Sequence, residues 1–148
     1  MRFKDKSVII TGGGGKIAKA YAMAFAKEGA KLSLPDIASA DQIVKTIKDM
    51  GGTAISMACD VSNEQSVKAM VDETVQQFGT VDVLINNAAY FMSVWKGPFW
   101  EMSVEEFDKA MAVNVRGSWL CAKAAVPYMQ KQKSGKIINI SSSTAYWG

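Results

Sequence analysis

The sequence predicts an α/β fold built on a doubly wound parallel sheet, with five strands in the order 3-2-1-4-5. Three observations carry this expectation. Apolar runs of strand length alternate strictly with helical patterns along the 148 residues. The stretches between runs are long enough to hold a crossover helix, which parallel neighbours require. The first run ends at a glycine cluster that opens a helix, and the ligand crevice of such a sheet lies beyond the carboxyl ends of strands one and four, where the strand order reverses.

The elements follow in turn. Ser7-Val8-Ile9-Ile10 is the first strand. Ile17, Ala20, Tyr21, Ala24 and Phe25 recur at helical spacing until Gly29. Lys31 to Leu34 is a second strand, broken by Pro35, and Ile43, Ile47 and Met50 mark a helix that stops at Gly51-Gly52. Thr53 to Met57 is the third strand. Val67, Val71, Thr74, Val75 and Phe78 form an amphipathic helix ended by Gly79. Val81 to Ile85 is apolar throughout, as a strand buried on both faces should be. A long connection from Tyr90 to Met102 leads to a helical region over Val104 to Lys131, and Lys136 to Ile140 is the fifth strand.

Composition narrows the chemistry. Hydrophobic residues make up 49% and charged residues 21%, ordinary for a globular α/β chain, and the length suits one domain over residues 1–148. A net charge of +3, spread along the chain and interleaved with acids, gives no reason to expect nucleic acid or a membrane surface as partner. Cys59 and Cys121 lack metal-ligand spacing and read as buried thiols of a reducing compartment. The charged start, Met1 to Ser7, runs straight into a strand, and the apolar runs are too short to span a bilayer, so the expected location is cytoplasmic. Histidine is absent, which removes Ser-His-Asp and Cys-His triads and histidine-ligated zinc; no metal site is expected. Acid–base chemistry is left to Tyr, Lys, Ser or a carboxylate.

Thr11-Gly12-Gly13-Gly14-Gly15-Lys16-Ile17-Ala18 joins the first strand to the first helix. A glycine-rich turn before a helix lets backbone approach a pyrophosphate, which the helix N-terminus stabilises. Gly14-Gly15-Lys16 also looks like part of a nucleoside-triphosphate loop, but that motif needs Gly where Ile10 stands and Ser or Thr where Ile17 stands, so the reading fails.

The segment resembles the T-G-x-x-x-G-x-G fingerprint of the short-chain dehydrogenase/reductase family, with Thr11 and Gly12 in register. The resemblance implies a Rossmann-like dinucleotide-binding domain with Thr11, Gly12, Gly14, Gly15, Lys16 and Ile17 against the cofactor. Lys16 and Ala18 replace the family's second and third glycines. Ala18 adds one methyl at a helix–sheet contact. Lys16 either crowds the phosphates or adds a cation to them, and tolerance is expected, with Gly13 to Gly15 supplying the freedom.

Asp36, just beyond the second strand, is placed to accept hydrogen bonds from the adenosine ribose and to repel the extra ribose phosphate of NADP, so NAD is the expected cofactor. A surface acid or a turn cap is the competing reading. In the family an Asp-Val pair after the third strand approaches the adenine, and Asp60 and Val61 match it; Asp60 would also serve to cap a helix starting near Ser62, and both can hold. Asn86-Asn87-Ala88-Ala89 resembles the family's N-N-A-G, which sets Asn87, Ala88 and Ala89 beside the cofactor and suits asparagines tying neighbouring strands together.

Asn114-Val115-Arg116-Gly117 resembles the family's N-V-x-G, whose Asn holds a water leading to the catalytic Lys. Alone, a mid-helix Asn would read as a surface residue. Asn139-Ile140-Ser141-Ser142 resembles the family's fifth strand and makes Ser142 the catalytic serine, hydrogen-bonded to substrate oxygen. The family's Tyr-x-x-x-Lys, in which Lys lowers the pKa of an acid–base Tyr, occurs nowhere here and would fall beyond Gly148. The chain is therefore expected to be an N-terminal part, a little over half of a family member, inactive alone. Tyr90, Phe91, Trp95, Phe99, Trp100 and Tyr146 are expected to form an aromatic substrate wall, with Tyr146 and Trp95 nearest the substrate.

The resemblance implies an NAD(H)-dependent oxidoreductase that moves a hydride between nicotinamide and a secondary alcohol or ketone, as a dimer or tetramer. A non-catalytic dinucleotide-binding or interaction module is the alternative, favoured by Lys16, Ala18 and the missing Tyr and Lys. The coding sequence past Gly148 discriminates the two.

Overall fold

A computed structural model describes residues 1–91 and 96–142. Its elements are β1 (Ser7–Ile10), α1 (Lys16–Lys27), β2 (Lys31–Asp36), α2 (Asp41–Asp49), β3 (Thr53–Ala58), α3 (Glu64–Phe78), β4 (Val83–Asn86), a 3₁₀ turn (Phe99–Glu101), α4 (Val104–Met111), a π-helical segment (Ala112–Gly117), α5 (Ser118–Lys131) and β5 (Lys136–Asn139). The strands are parallel and ordered β3-β2-β1-β4-β5, as the sequence predicts.

Alternation along each strand builds the two cores. Val8 and Ile10 of β1, Leu32 and Leu34 of β2, and Val83 and Ile85 of β4 face one side, where Ala18 and Ala22 of α1 and Ile43, Val44 and Ile47 of α2 cover them. Ile9 and Leu84 face the other side, against Val67, Met70 and Val71 of α3 and Leu120, Cys121 and Ala125 of α5. Strands sandwiched this way must be apolar at nearly every position, which is why they read as continuous runs. Burial pushes the Cys121 thiol up to about 12 and the Cys59 thiol upward too, so neither is a thiolate near neutrality.

One polar pair interrupts the second core. Ser33 of β2 meets Thr74 of α3, hydroxyl to hydroxyl at 2.8 Å, and Thr74 lies 2.9 Å from the Met70 carbonyl. Thr74 has a single proton, which goes to Met70, so Ser33 donates to Thr74. Thr74→Val keeps the shape but strands the Ser33 hydroxyl. A loss of about 1–3 kcal/mol is expected in urea unfolding, and Ser33→Ala with Thr74→Val should recover most of it.

Several boundaries differ from expectation for visible reasons. β2 continues through Pro35 to Asp36 because β1 has already turned away; β1 pairs β2 only as far as Ile9 with Ser33. The Pro35 carbonyl on that side accepts the Gly13 N–H at 2.9 Å, so the missing proline N–H faces a side with no ladder. β4 starts at Val83 because the Asp82 carboxylate itself takes the Ser7 N–H at 3.0 Å and the Lys6 ammonium at 2.9 Å. α3 starts at Glu64, capped by Asn63, whose side chain accepts the Ser66 N–H at 2.9 Å. Asp60 is thus no cap of that helix: its Oδ1 accepts the Ser62 N–H at 2.9 Å and hydroxyl at 2.7 Å in a local turn. The long helical region is interrupted by the π segment, where Gly117 lies so close to Val61 that a Cβ would sit 2.9 Å from Val61 Cγ2.

Candidate functional site

β1 and β4 end side by side, at the point where the strand order reverses. Thr11 joins the two exits. Its buried Oγ1 accepts the N–H groups of Asn87 and Ala88, both at 3.0 Å, while the Asn87 amide donates to the Thr11 carbonyl at 2.9 Å. Thr11 therefore acts on the turn's position, stitched to the chain after β4. Asn86 ties β4 to β5 by donating to Asn139 Oδ1 at 2.8 Å.

The glycines approach backbone as the turn demands. Gly12 has φ +67°, and a Cβ there would lie 2.9 Å from Ala88 Cα. Gly13 is buried, with a virtual Cβ 2.7 Å from the Leu34 backbone. The sequence marks a glycine run but not which member is irreplaceable, and Gly13 escapes the predicted site for that reason. Gly14 donates its N–H to Asp36 Oδ2 at 2.8 Å, and Ala38 donates to Asp36 Oδ1 at 2.9 Å. Asp36 is thereby folded back from the end of β2 onto the glycine turn.

Gly15 is the N-cap of α1 in extended conformation and offers no side chain to the first amides of the helix. Those N–H groups and the positive end of the helix dipole point into the crevice mouth. Lys16 opens α1 in ordinary helical geometry, since the only non-glycine residues with positive φ among the described ones are Asp5 and Lys133. The replacement of a glycine by Lys16 thus carries no backbone strain, and its side chain is exposed at the same mouth. Ile17 is exposed beside it, and Ala18 packs without gap into the first core.

Val61 is 7% exposed and packed against Gly117, so its side chain belongs to the core, whereas Asp60 stays exposed at the end of β3. Ala88 and Ala89 line the exit from β4. Asn114, in the π segment, accepts the Tyr90 N–H at 2.8 Å and donates to the Tyr90 carbonyl at 3.2 Å. Both ends of its amide are spent on one residue, which makes Asn114 a clamp on the crevice wall. Ser142 is exposed three residues past Asn139, as Ala89 is three past Asn86, and those two strand ends are paired in register.

Among the described residues the members of the expected aromatic wall have separate partners. Tyr90 points its hydroxyl at Glu106, Phe99 and Trp100 stack edge-to-face on each other at 5.4 Å in the open, and Phe91 is exposed. Trp95 and Tyr146 lie outside the described residues. Thr11, Gly12, Gly14, Gly15, Lys16, Ile17, Asp36, Asn87, Ala88 and Ala89 thus lie at or just past the carboxyl ends of β1, β2 and β4, with Asn114 gripping the exit from β4. A glycine turn, a helix N-terminus without a side-chain cap and an acid at the end of the neighbouring strand are an arrangement that can accept the phosphate and sugar of a nucleotide.

The short chain dehydrogenase family model matches residues 6–147. The chain belongs to the short-chain dehydrogenase family, whose members use NAD(P). It is 43% identical over 150 residues to an uncharacterized oxidoreductase of Thermotoga maritima, covering all of this chain and 58% of that protein. It is 40% identical to glucose 1-dehydrogenase 2 of Bacillus subtilis, over 95% of this chain and 56% of the relative. Among solved structures, an NAD+-bound xylitol dehydrogenase superposes with a TM-score of 0.93 at 31% identity, over 100% of this chain and 57% of that one. The chain thus spans little more than half the length of each of these relatives. No helix among the described residues is long and apolar enough to cross a membrane.

Proposed function

We propose that the crevice takes NAD(H) in preference to NADP(H), and that the whole protein interconverts a secondary alcohol and a ketone. The observation that carries the cofactor reading is Asp36. Its carboxylate is held at the end of β2 by the Gly14 and Ala38 amides, where it meets a ribose lying over the glycine turn. The local fit supports a dinucleotide: Gly12 and Gly13 let the turn lie flat against the backbone of Ala88 and Leu34, where a Cβ at either would collide, and the first amides of α1 are left without a side-chain cap for a phosphate to use. When bound, the nicotinamide supplies the hydride acceptor or donor.

In this reading the chain's own residues bind and orient. Gly14, Gly15, Lys16 and Ile17 meet the phosphates, Asp36 the ribose, Asp60 and the Val61 backbone the adenine side, and Asn87 to Ala89 the nicotinamide side. Ser142 holds the substrate oxygen. The Tyr-x-x-x-Lys pair is not among these 148 residues, so the activity proposed is that of a protein that contains it as well. The test is steady-state kinetics of the whole protein on a panel of secondary alcohols with NAD+ and with NADP+. Equal use of both cofactors would sink the NAD reading.

Lys16 is a phosphate-facing cation with no part in the chemistry. Lys16→Gly is expected to change cofactor affinity by about two- to fivefold, the scale of an exposed charge at a helix terminus, with kcat nearly intact. A large fall in kcat at saturating cofactor would contradict this role.

A second copy of the chain is the proposed partner, covering the helical face after the crevice. Phe107, Met111, Val115 and Trp119 follow at four-residue steps and are about half exposed. In a regular α-helix such a stripe drifts round the axis; the wider π turn at Ala112–Gly117 holds it in line. Asp108 and Arg116 border the stripe, so a two-fold contact sets acid against base.

A further inference from the structure

We propose that Tyr90 is a positioning residue whose side chain couples α4 to the cofactor crevice, so that Glu106 and Lys109 set the place of the wall from Asn87 to Tyr90. This rests on the crevice reading above and adds a residue that no motif in the sequence marks.

The wall is the short chain leaving β4. On its near side Thr11 holds the amides of Asn87 and Ala88. On its far side the Asn114 amide holds the backbone of Tyr90 at both its N–H and its carbonyl. The Tyr90 side chain makes a third attachment. Its hydroxyl donates to the Glu106 carboxylate, 3.1 Å from one oxygen and 3.3 Å from the other. The Lys109 ammonium lies 4.5 Å from the ring centroid, a cation over the aromatic face. Glu106 and Lys109 are three residues apart on α4 and share one side of it.

The capping of α4 shows that Glu106 is committed to this task. Ser103-Val104-Glu105-Glu106 has the spacing of a reciprocal capping box. Ser103 contributes its half, Oγ accepting the Glu106 N–H at 3.1 Å. The Glu106 carboxylate, in place of reaching back to the cap, receives the Tyr90 hydroxyl. The start of α4 is thus fixed to Tyr90 through a charge-assisted hydrogen bond, and Tyr90 is fixed to the π segment at the other end of α4 through Asn114. A shift of α4 moves both grips together. Burial alone does not demand this arrangement, because Tyr90 and Glu106 are both only partly buried.

The decisive measurement is residue-resolved amide hydrogen exchange in the whole protein carrying Tyr90→Phe, Glu106→Ala or Glu106→Gln. The Ala88 and Tyr90 amides report the wall, and those of Ile9 and Leu84 report the sheet. With the strut lost in Tyr90→Phe or Glu106→Ala, the two wall amides should exchange about tenfold faster while the sheet amides stay unchanged. Glu106→Gln keeps an acceptor and should stay within about threefold of the parent. In the whole protein, Tyr90→Phe and Glu106→Ala should raise KM for the cofactor severalfold with kcat little changed, and the double variant should be no worse than either single one. Unchanged wall amides, or equal acceleration of wall and sheet, overturns the proposal, as does a strictly additive double variant. The exchange experiment needs no cofactor, so it judges the strut separately from the NAD reading.

Discussion

A polypeptide of these 148 residues alone is expected to transfer no hydride between NAD(H) and a secondary alcohol, and to form species that grow with its concentration. The chemical part follows from what the sequence contains. Ser142 and Asn114 are present, but no Tyr is followed by Lys at the fourth place, so the reacting hydroxyl has no acid–base partner. Loss of general acid–base catalysis alone removes about 10²–10⁴ in rate. The associative part follows from the structure. All four residues of β5 are exposed, and it ends the sheet with an unpaired edge among the described residues. Ile137, Ile138 and Ile140 are 38%, 43% and 41% exposed along that edge. An apolar open edge and an apolar helix face both recruit further copies. NADH absorbance followed over a panel of secondary alcohols, together with size-exclusion chromatography over a range of concentrations, checks both parts. Sustained turnover by a clean monomer would overturn the roles given to Ser142 and Asn114 and the need for the missing pair.

Much of the fold was legible because its signals are periodic and local. Continuous apolar runs gave five strands, and glycines after Phe25, Met50 and Phe78 gave the helix ends near where they lie. The errors came from partners distant in sequence. Nothing local says that β1 has turned away before Pro35, or that the Asp82 carboxylate replaces a ladder bond to Ser7. The π segment is likewise a tertiary effect, arising where Gly117 meets Val61 and Asn114 reaches Tyr90. The crevice was read from motif resemblance, which names residue types without saying which atoms they touch. Thr11 and Asn114 illustrate this: the side chains of both bind backbone of the β4 exit. Tyr90 reads in the sequence only as a wall aromatic, and nothing local marks it as an anchor until Glu106 and Lys109 are brought to it.

Asp36→Ser in the whole protein is expected to narrow the ratio of kcat/KM for NAD to that for NADP by at least about tenfold, or 1.4 kcal/mol at room temperature. Two effects add. A hydrogen bond from a ribose hydroxyl to a carboxylate contributes about 1.5–3 kcal/mol, which favours NAD and is weakened with serine. A ribose phosphate about 4 Å from the carboxylate is repelled by roughly 4 kcal/mol at a near-surface effective dielectric, before salt screening reduces it. Serine removes that repulsion entirely. Asp36 also holds the Gly14 and Ala38 amides, so its loss loosens the glycine turn. That loosening weakens both cofactors alike and cancels in the ratio, which isolates the ribose contact. Absolute efficiencies for both are therefore expected to fall while the ratio shifts toward NADP, and the shift should shrink at high ionic strength as repulsion is screened. An unchanged ratio would mean that Asp36 serves only to cap the turn between β2 and α2 and that the preference for NAD is set elsewhere.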